Sequence, residues 1–577
     1  MQRSIIYTSL RNLLKDNIKW IFNLDIEEVT INKQISLPPK PEMGDMAFSC
    51  FLLARELKKS PQMIANELSM KMIFSEDDIF KKVEQTGPYL NFFLNEKNLS
   101  KAVLICSKKG SLTKPFEKKQ DKIMVEFSQP NTHKGIHIGH IRNMAVGDSL
   151  IRILRHTGYE TISANYLGDS GAHIAACLWH YEKSKMENTN NSEKGEWLGI
   201  VYTEAKKYLE ENPTEKNNVS KVQKLLENKD PYWICLWNET REWSIEYFKS
   251  IYKWLDIHFD VWFYESEEEE PGKVIVEEFL NKRIFKYSDG AVICELEDLP
   301  LAIVLKSDGT TLYSTKDLAL AKRKFEEFHI DRSIYVVGDA QSLHFKQIFS
   351  ILKKMGFKQA DKCYHLAYGM VSLPEGKMSS RTGNVVLFSD LKKSMNEYIY
   401  ESYLDSKKDW SDEKKKVTSR KIIVAAIKFG MLDQDVKKNI EFRMEDWLSF
   451  EGDTGPYILY AFARIQSILR KSEKSGMEIE PDFDNSHLLT MSEEKYVIMD
   501  IQEFPDIIEH VANDYCIDEL CKYLLKLSKD FSKFYHNCSV LKADRGLAAA
   551  RLQLIKAVSE ILKTGLNLLG IDPPEEM

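Results

Sequence analysis

The sequence predicts a multidomain α/β protein, in which a parallel nucleotide-binding fold with a helical insertion separates an N-terminal α+β domain from a C-terminal α-helical bundle. Three observations predict this architecture. The chain has 577 residues, which is too many for one core. A strand–turn–helix–strand pattern starts at Lys122, and helical periodicity continues after about Leu391. We place the domains at 1–116, 117–390 with an insertion at about 179–290, and 391–577.

The composition is that of a folded protein with a polar surface. Hydrophobic residues make up 43% of the chain and charged residues 29%, a balance typical of globular rather than disordered or membrane proteins. The formal net charge is −7, so a polyanionic partner would have to bind local basic patches. The nine cysteines show no metal-ligand spacing, which predicts reduced thiols and no metal held by the protein.

The N-terminal segment alternates helix and strand patterns. Its first residues place apolar side chains at helical spacing among charges, which predicts an amphipathic helix rather than a signal peptide. The stretch Met46–Lys58 predicts a helix, and Tyr89–Leu94 predicts a short strand. No run approaches the roughly 18 consecutive apolar residues of a membrane span, so we expect a cytoplasmic protein that does not enter membranes.

A βαβ pattern begins at Lys122. The strand KIMVEFS is followed by a turn with glycine and histidine, a helix with an apolar face, and the strand TISANY. Such a unit is expected to be parallel and right-handed. Residues from about Trp179 onward are rich in Lys, Glu, Asn and aromatic side chains, which predicts a helical insertion. Strand patterns resume at AVICEL, AIVLKS and SIYVVGD, so the nucleotide fold is expected to be split.

The turn carries His137, Gly139 and His140 at the start of the predicted helix. A helix N-terminus favours phosphate because its amide groups and dipole are unsatisfied there. Two imidazoles add hydrogen-bond donors, and the glycine allows a nucleotide to approach closely. With 13 His and 26 Gly in 577 residues, the pattern His-x-Gly-His arises by chance roughly 0.013 times. The alternative is a purely structural histidine pair.

A basic loop lies downstream, between Gly376 and Gly383. Its cationic and hydroxyl side chains would neutralise the charge of a leaving pyrophosphate, although such a loop alone is more often solvated surface. The residues concerned are Lys377, Met378, Ser379, Ser380 and Arg381. Together the histidine turn and this loop resemble the HIGH and KMSKS motifs of class I aminoacyl-tRNA synthetases, in the required order around a split Rossmann-type catalytic domain.

The context of these motifs resembles the arginyl-tRNA synthetases over nearly the whole chain. The catalytic segments that carry the resemblance are Glu126–Asn131, Asn165–Asp169, Tyr313–Asp317, Gln341–Phe345 and Gly369–Val371. The segments that resemble the family's two tRNA-contacting domains are Pro41–Asp45, Gly87–Phe92, Gly455–Tyr457 and Gly570–Met577. The resemblance therefore includes both ends of the chain.

That resemblance implies an arginine pocket formed by Glu126, Asn131, Tyr313, Asp317 and Gln341. A guanidinium is a planar, always charged fork of donors, so carboxylates such as Asp317 and Glu126 suit it. Taken alone, three of these residues have other interpretations. Asp317 would be the first residue of the helix DLALAKRKF, Tyr313 a core residue, and Glu126 a surface charge at a strand end.

The resemblance also implies the remaining residues and the reaction. Catalysis is expected from His137, His140, Lys134, Lys377 and Arg381, and ATP binding from Gly139, Gly369, Met370, Met378, Ser379 and Ser380. L-arginine and ATP, with magnesium bound to the ATP phosphates, would give arginyl-adenylate and pyrophosphate. The terminal 2′-hydroxyl of tRNA(Arg) would then accept the arginine. As in the family, activation is expected to require bound tRNA.

Two positions depart from the family's pattern. Ser380 replaces the second lysine of the KMSKS motif, so the catalytic charge must come from another residue. The family often supplies it from a lysine before the histidine motif, where this chain has Lys134; the alternative is that Lys134 is an ordinary loop charge. Ser170 replaces the tryptophan that usually follows Gly-Asp, which weakens any role assigned to Asp169.

The last third of the chain has helical periodicity, and its final helix is followed by Gly570 and two prolines. The resemblance implies that this bundle binds tRNA through Tyr457, Tyr460 and Arg464, whose side chains can stack on and pair with unstacked bases. At helical spacing, Tyr460 and Arg464 would equally brace adjacent helices. We expect the protein to be a monomer.

Three other functions stay open at this point. A small nucleotidyltransferase shares the His-x-Gly-His motif but needs no helical C-terminal third. A synthetase-derived tRNA-binding scaffold would have lost catalytic residues such as His137, His140 and Asp317, which are all present. A class I synthetase for another amino acid would keep the phosphate motifs and differ in the pocket.

Overall fold

The computed structural model describes residues 3–184, 193–374, 386–475 and 483–577. Five residues of the basic loop, Lys377, Met378, Ser379, Ser380 and Arg381, lie outside the described residues, and their roles stay predictions. None of the helices within the described ranges is long and apolar enough to cross a membrane.

The N-terminal domain combines five helices with a four-stranded antiparallel sheet. Its elements are α1 (Ile5–Phe22), α2 (Glu28–Asn32), β1 (Ile35–Ser36), β2 (Met46–Ser49), α3 (Phe51–Leu57), α4 (Pro61–Lys71), β3 (Phe80–Thr86), β4 (Tyr89–Leu94) and α5 (Glu96–Lys108). The strand order is β1-β2-β4-β3. The predicted amphipathic helix α1 buries Ile6, Leu10, Leu14 and Ile18, as its apolar spacing requires.

Strand β2 corrects the helix predicted for Met46–Lys58. Residues Met46–Ser49 pair with β4, with Met46 opposite Phe92, and the helix begins only at Phe51. Three of the four residues of β2 are buried. Pairing and burial in the sheet therefore outweigh the helical spacing, since strand preference depends mainly on tertiary context.

The central part of the chain alternates strands and helices. Its elements are β5 (Lys122–Glu126), α6 (Ile138–His156), β6 (Glu160–Leu167), α7 (Ala172–Ser184), α8 (Lys194–Glu211), α9 (Lys216–Glu227), α10 (Pro231–Leu255), β7 (Val261–Tyr264), α11 (Glu269–Asn281), β8 (Lys286–Ser288), β9 (Ala291–Cys294), β10 (Ala302–Leu305), α12 (Tyr313–Phe328), β11 (Arg332–Gly338), α13 (Ser342–Lys354), β12 (Cys363–Tyr368) and β13 (Val371–Ser372).

Five of these strands form a parallel sheet with the order β12-β11-β5-β6-β7. Strand β5 pairs in parallel with β6 on one side and β11 on the other, which confirms the predicted βαβ unit. The chain runs from β5 through α6 to β6, whereas β11 lies on the opposite side of β5. The carboxyl ends of β5 and β11 are therefore the switch point at which such sheets bind ligands.

Two predictions for the middle of the chain are wrong. Strand β7 lies inside the span 179–290 assigned to a single insertion, yet it joins the parallel sheet beside β6. The segments AVICEL and AIVLKS supply β9 and β10 of a separate antiparallel sheet with β8. The insertion is therefore two excursions, α7–α10 before β7 and α11–β10 after it. Four residues between helical patterns give little sign of a strand, and only their pairing partners identify it.

The C-terminal part is helical, as predicted. Its elements are α14 (Phe388–Ser402), α15 (Asp412–Leu432), β14 (Ile440–Glu441), α16 (Met444–Leu448), α17 (Gly455–Lys474), α18 (Ser492–Asp514), α19 (Ile517–Asn537) and α20 (Arg545–Leu568). Gly570, just beyond α20, has a φ of 70°, the left-handed conformation in which glycine commonly ends a helix. The short strand β14 pairs in parallel with β13.

Helix α6 lies between the parallel sheet and the C-terminal bundle. Lys428 of α15 donates to Asp148 Oδ2 at 2.8 Å, and Ser149 Oγ donates to the carbonyl of Leu568 at 3.0 Å. Lys428 is almost fully buried, and burial lowers its pKa. The helix that follows the histidine turn is thus anchored to two helices of the C-terminal bundle.

Candidate active site

The two histidines of the turn lie side by side at the start of α6, beyond the carboxyl end of β5. His137 is the N-cap residue, and the ring centroids of His137 and His140 are 3.9 Å apart. A Cβ on Gly139 would lie 2.9 Å from the His137 ring, so a larger residue would displace that ring. The structure therefore brings the predicted pair together at a helix N-terminus, where an anion is favoured.

Backbone hydrogen bonds determine the tautomers of both rings. The amide of Gly139 donates to Nδ1 of His137 at 3.1 Å, and the amide of His137 donates to Nδ1 of His140 at 3.2 Å. In a neutral imidazole, the other nitrogen then carries the proton. Burial lowers the pKa of His137 to about 4 and the pKa of His140 well below its usual value. Each ring is therefore a neutral Nε2–H donor near pH 7.

The turn between β5 and α6 has a strained backbone. Ser128, Gln129 and His133 have φ values of 75°, 48° and 64°, a region that residues other than glycine enter at a cost. Side chains from other elements accept a hydrogen bond from each amide: Asn143 at 2.5 Å, Asn165 at 3.1 Å and Ser244 at 3.0 Å, respectively. These bonds hold the segment that carries the predicted site residues Asn131 and Lys134.

Lys134, in this turn, is half-buried beneath the helical insertion. Its ammonium lies 5.2 Å from the ring centroid of Tyr202 on α8, and a Cβ on Gly199 would lie 2.6 Å from the amide nitrogen of Gly135. Burial lowers the pKa of Lys134, and the charge of Glu265 opposes that effect. These contacts do not fit the interpretation of Lys134 as an ordinary loop charge.

Tyr313 and Asp317 project from the first two turns of α12. The helix begins at Tyr313, so Asp317 is not its first residue, contrary to one interpretation of the sequence. Asp317 Oδ2 lies 2.6 Å from Nε2 of His344, and the Asp317 side chain is 19% exposed. Tyr313 is 61% exposed, which excludes the interpretation of Tyr313 as a core residue.

Glu265, directly after β7, is a candidate site residue that sequence reasoning missed. Its Oε2 lies 3.1 Å from Nζ of Lys316, and burial nevertheless raises its pKa to about 7. A Cβ on Gly168 would lie 2.2 Å from Asn131 Oδ1 and 3.4 Å from Glu265 Oε1, so glycine is needed where these side chains meet. A carboxylate after a strand is the signal that would have identified Glu265, but the strand falls inside the predicted insertion.

Ser170, the residue that departs from the family's pattern, has a polar partner. Lys316 donates to its Oγ at 2.7 Å. The neighbouring Asp169 is fully buried and accepts from the amide and the hydroxyl of Ser266 at 2.8 and 2.7 Å. Burial raises the pKa of Asp169. Asp169 thus holds the segment that carries Glu265.

Glu126 is buried, which corrects its interpretation as a surface charge at a strand end. Its Oε2 accepts a hydrogen bond from Lys324, which is itself fully buried, and its Oε1 accepts from Gln129 Nε2 at 2.8 Å. Both carboxylate oxygens therefore have partners within the protein. Gln341 ends the short turn after β11 and is exposed.

Gly369 and Met370 follow β12, which lies on the opposite side of β5 from β6 and β7. Gly369 is buried, and a Cβ there would lie 2.4 Å from the carbonyl oxygen of Lys438. Met370 is 52% exposed. Gly369 and Met370 therefore lie at the β12 edge of the sheet, whereas Glu265 follows β7 at the other edge.

A cavity of about 410 Å³ opens in the C-terminal bundle beside Tyr460 and Arg464. Its other lining residues are Lys407, Trp410, Ala463, Ser467, Arg470, Glu576 and Met577. Arg464 Cζ lies 4.7 Å from the ring centroid of Tyr460 and 4.9 Å from that of Tyr535. The arginine therefore braces α17 against α19 and also lines the cavity. Tyr457 lies apart from it, since its hydroxyl donates to Ser532 Oγ at 3.2 Å.

Comparison with known proteins identifies the family. Three family models match: "tRNA synthetases class I (R), catalytic domain" at residues 101–446, "Arginyl tRNA synthetase N terminal domain" at 8–94 and "DALR anticodon binding domain" at 458–577. The arginine–tRNA ligase of Bdellovibrio bacteriovorus is 39% identical over 98% of both chains. That of Clostridium perfringens is 36% identical over 98% of this chain and 100% of its own.

The solved structures agree. The arginyl-tRNA synthetase of Thermus thermophilus superposes with a TM-score of 0.81 at 26% identity, and the match covers 99% of this chain and 100% of that one. Because the matches extend through the C-terminal bundle, a short nucleotidyltransferase is excluded. An inactive scaffold and a synthetase for another amino acid do not fit relatives that are arginine–tRNA ligases over their full length. The chain belongs to the arginyl-tRNA synthetase family, the class I enzymes that use ATP to ligate arginine to tRNA in translation.

Proposed function

We propose that this site activates L-arginine with ATP and transfers it to tRNA(Arg). An oxygen of the arginine carboxylate bonds to the α-phosphorus while the bond to the pyrophosphate oxygen breaks, which gives arginyl-adenylate and pyrophosphate. The terminal ribose 2′-hydroxyl then attacks the adenylate carbonyl and loses its proton, and AMP leaves. The observation that carries the proposal is that neutral imidazole donors and buried carboxylates meet at one edge of a parallel sheet.

On the phosphate side, His137 and His140 would stabilise charge that develops on the α-phosphate oxygens. Two Nε2–H groups at a helix N-terminus are already oriented by the backbone, so they need little reorganisation during reaction. Gly139 would let the nucleotide approach. Gly369 and Met370 would contact the nucleotide from the β12 side.

Lys134 would supply the charge that Ser380 lacks. Its ammonium lies over the ring of Tyr202 on α8. A cation over an aromatic ring stays charged and can still bind a phosphate. Lys377 and Arg381 remain further candidates for this charge. Met378, Ser379 and Ser380 likewise remain proposed ATP-binding residues.

On the arginine side, Asp317 would accept the guanidinium, with His344 orienting its carboxylate. Asn131, Tyr313 and Gln341 would complete the pocket. A planar, charged fork pairs best with a carboxylate held in one orientation, which the contact at 2.6 Å supports.

The carboxylates of Glu265 and Glu126 would also contribute to arginine binding, each in its own way. Glu265 has a raised pKa of about 7, and a bound cation would favour its ionised form. Glu126 would act as a positioning residue for arginine binding. Its bond to Gln129 holds the strained turn that leads to Asn131.

The proposal extends to the rest of the chain. Residues 1–116 and 391–577 would contact tRNA on either side of a catalytic domain at 117–390, with Tyr457, Tyr460 and Arg464 on the anticodon side. Magnesium would enter bound to the ATP phosphates, whose oxygens and water are ligands it prefers. We expect a monomer that acts in the cytoplasm.

ATP–pyrophosphate exchange tests this function. The wild type and Asp317→Ala would be assayed with each of the twenty amino acids, with and without total tRNA. We expect exchange with arginine only, and only with tRNA. Asp317→Ala should lower kcat/KM for arginine by about 30-fold or more, since truncating one partner of a buried charge pair costs about 2–5 kcal/mol.

Asp361→Ala is the matched control. The Asp361 side chain is 78% exposed, and its partner Lys353 is also on the surface, so exchange should match the wild type. Exchange with a different amino acid would contradict the guanidinium pocket. Absence of exchange with every amino acid would contradict the catalytic role.

A further inference from the structure

Arg142 is a fully buried cation on α6, two residues after His140. A buried guanidinium is costly unless its donors are paired, and burial lowers the pKa of Arg142 to about 10. Within the described ranges, no carboxylate lies within ion-pair distance of Arg142. The donors on its Nη1 and Nη2 are directed to backbone carbonyl groups instead.

Those carbonyl groups belong to two separate segments. Nη1 donates to the oxygens of Gly369 at 2.8 Å and Lys438 at 2.6 Å, and Nη2 donates to the oxygen of Val436 at 3.1 Å. Longer contacts reach Met370 and Asp435 at 3.5 and 3.4 Å. One side chain therefore joins the end of β12, the loop after α15 and the helix of the histidine turn.

The two segments also bond to each other. The amide of Gly369 donates to the carbonyl of Val436 at 2.9 Å, and the amide of Met370 donates to Asn439 Oδ1 at 2.7 Å. The absence of a side chain at Gly369 permits this contact, because a Cβ would lie 2.4 Å from the Lys438 carbonyl. Arg142 is thus the buried centre of a clamp whose other members are backbone groups and Asn439.

We propose that Arg142 is a positioning residue for ATP, which holds Gly369 and Met370 at a set distance from His137 and His140. The hydrogen bonds of the clamp join Arg142 and Asn439 to the segments 369–370 and 435–438, and none of these bonds involves Asp317 or Glu265. The expected effect is therefore selective for the nucleotide. This inference rests on the proposed function, because it assumes that Gly369 and Met370 contact ATP.

The test measures KM for ATP and KM for arginine separately, by exchange, in Arg142→Lys and Arg142→Met. We expect KM for ATP to rise about tenfold or more in Arg142→Met, because small displacements of positioning groups have large effects. KM for arginine should stay within about twofold. Arg142→Lys keeps the charge but not the two-pronged donor geometry, so its KM for ATP should be intermediate.

Binding of a non-hydrolysable ATP analogue provides a readout that needs no arginine or tRNA. It should weaken in parallel with the rise in KM for ATP. If the Arg142 variants do not fold, Asn439→Ala removes the exposed side of the same clamp without leaving a buried charge. That variant should also raise KM for ATP selectively.

Arg152→Met is the matched control. Arg152 lies on the same helix and also contacts the C-terminal part, but its partners are Asp148, Asp256 and the carbonyl of Asn567. We expect a lower unfolding temperature with KM for ATP unchanged. Unchanged KM values in folded Arg142 and Asn439 variants, or equal rises for ATP and arginine, would overturn the inference. Failure of wild-type exchange with arginine would instead count against the proposed function.

Discussion

His344 Nε2 lies 2.6 Å from Asp317 Oδ2, and the two side chains come from different helices, α13 and α12. Both are partly accessible, with 25% and 19% of the side chains exposed. The imidazole can therefore orient the carboxylate while leaving its other oxygen open to a ligand. His344 lies beside β11, whose carboxyl end is part of the switch point of the sheet.

We expect His344→Ala to raise KM for arginine by about tenfold or more, since a hydrogen bond to a charged group contributes about 1.5–3 kcal/mol. KM for ATP should not change, because the side-chain hydrogen bond of His344 goes to Asp317 and not to Gly369, Met370 or the histidine turn. His344→Gln retains a donor and should partly restore the affinity for arginine. Steady-state exchange with each substrate varied in turn gives these values. A parallel rise in both KM values would contradict an orienting role.

Lys324→Met should destabilise the catalytic domain. Lys324 and Glu126 are buried partners, and removing one leaves an uncompensated charge, at a cost of about 3–5 kcal/mol in the free energy of unfolding. Glu126→Gln should be less stable for the same reason, and the double variant should lose less than the sum of the two. Chemical unfolding of the three variants measures the coupling.

Lys322→Met is the control for this pair, because Lys322 lies on the same helix with its side chain 45% exposed. We expect it to be within about 0.5 kcal/mol of the wild type. Additive losses in the Lys324 and Glu126 variants would mean that the two side chains do not stabilise each other.

Stability should fall as the pH drops from about 6.5 to about 3, partly because of His133. Burial lowers its pKa to about 3, so below about pH 6.5 the unfolded chain takes up a proton that the folded chain does not. This group alone should reduce the free energy of unfolding by about 2 kcal/mol between pH 7.5 and pH 5. His133→Asn, which suits the positive φ of this residue, should show a shallower pH dependence. Equal pH dependences in the variant and the wild type would refute a contribution of His133 to the loss of stability at low pH.

Arg464→Ala should raise KM for tRNA by about tenfold in aminoacylation, because it removes a cation and a stacking surface from the cavity in the bundle. KM for arginine at saturating tRNA should not change. Lys563→Ala is the control, since Lys563 is exposed on α20 and does not line the cavity. If Arg464 only braces α17 against α19, the unfolding temperature would fall with KM for tRNA unchanged.

The sequence predicted the parts that depend on local pattern. The βαβ unit around the histidine turn, the strand Tyr89–Leu94 and the helical C-terminal third all have periodicity or turn residues that act over a few positions. The sequence predicts a phosphate site at the histidine turn because His137, Gly139 and His140 are close together in the chain, and a helix N-terminus favours anions in any fold.

The remaining features depend on pairing between distant residues. Strand β7 belongs to the core because β6 lies beside it, and Glu265 reaches the site only through that strand. The burial of Glu126 depends on Lys324, which is 198 residues away.

Arg142, Gly369 and Lys438 likewise meet only through the folded arrangement of three segments. The sequence by itself therefore determined the family, the histidine motif and the order of the domains. Tertiary structure alone decided which charges are buried and which groups pair with them, because desolvation and hydrogen bonding depend on neighbours in space and not on neighbours in the chain.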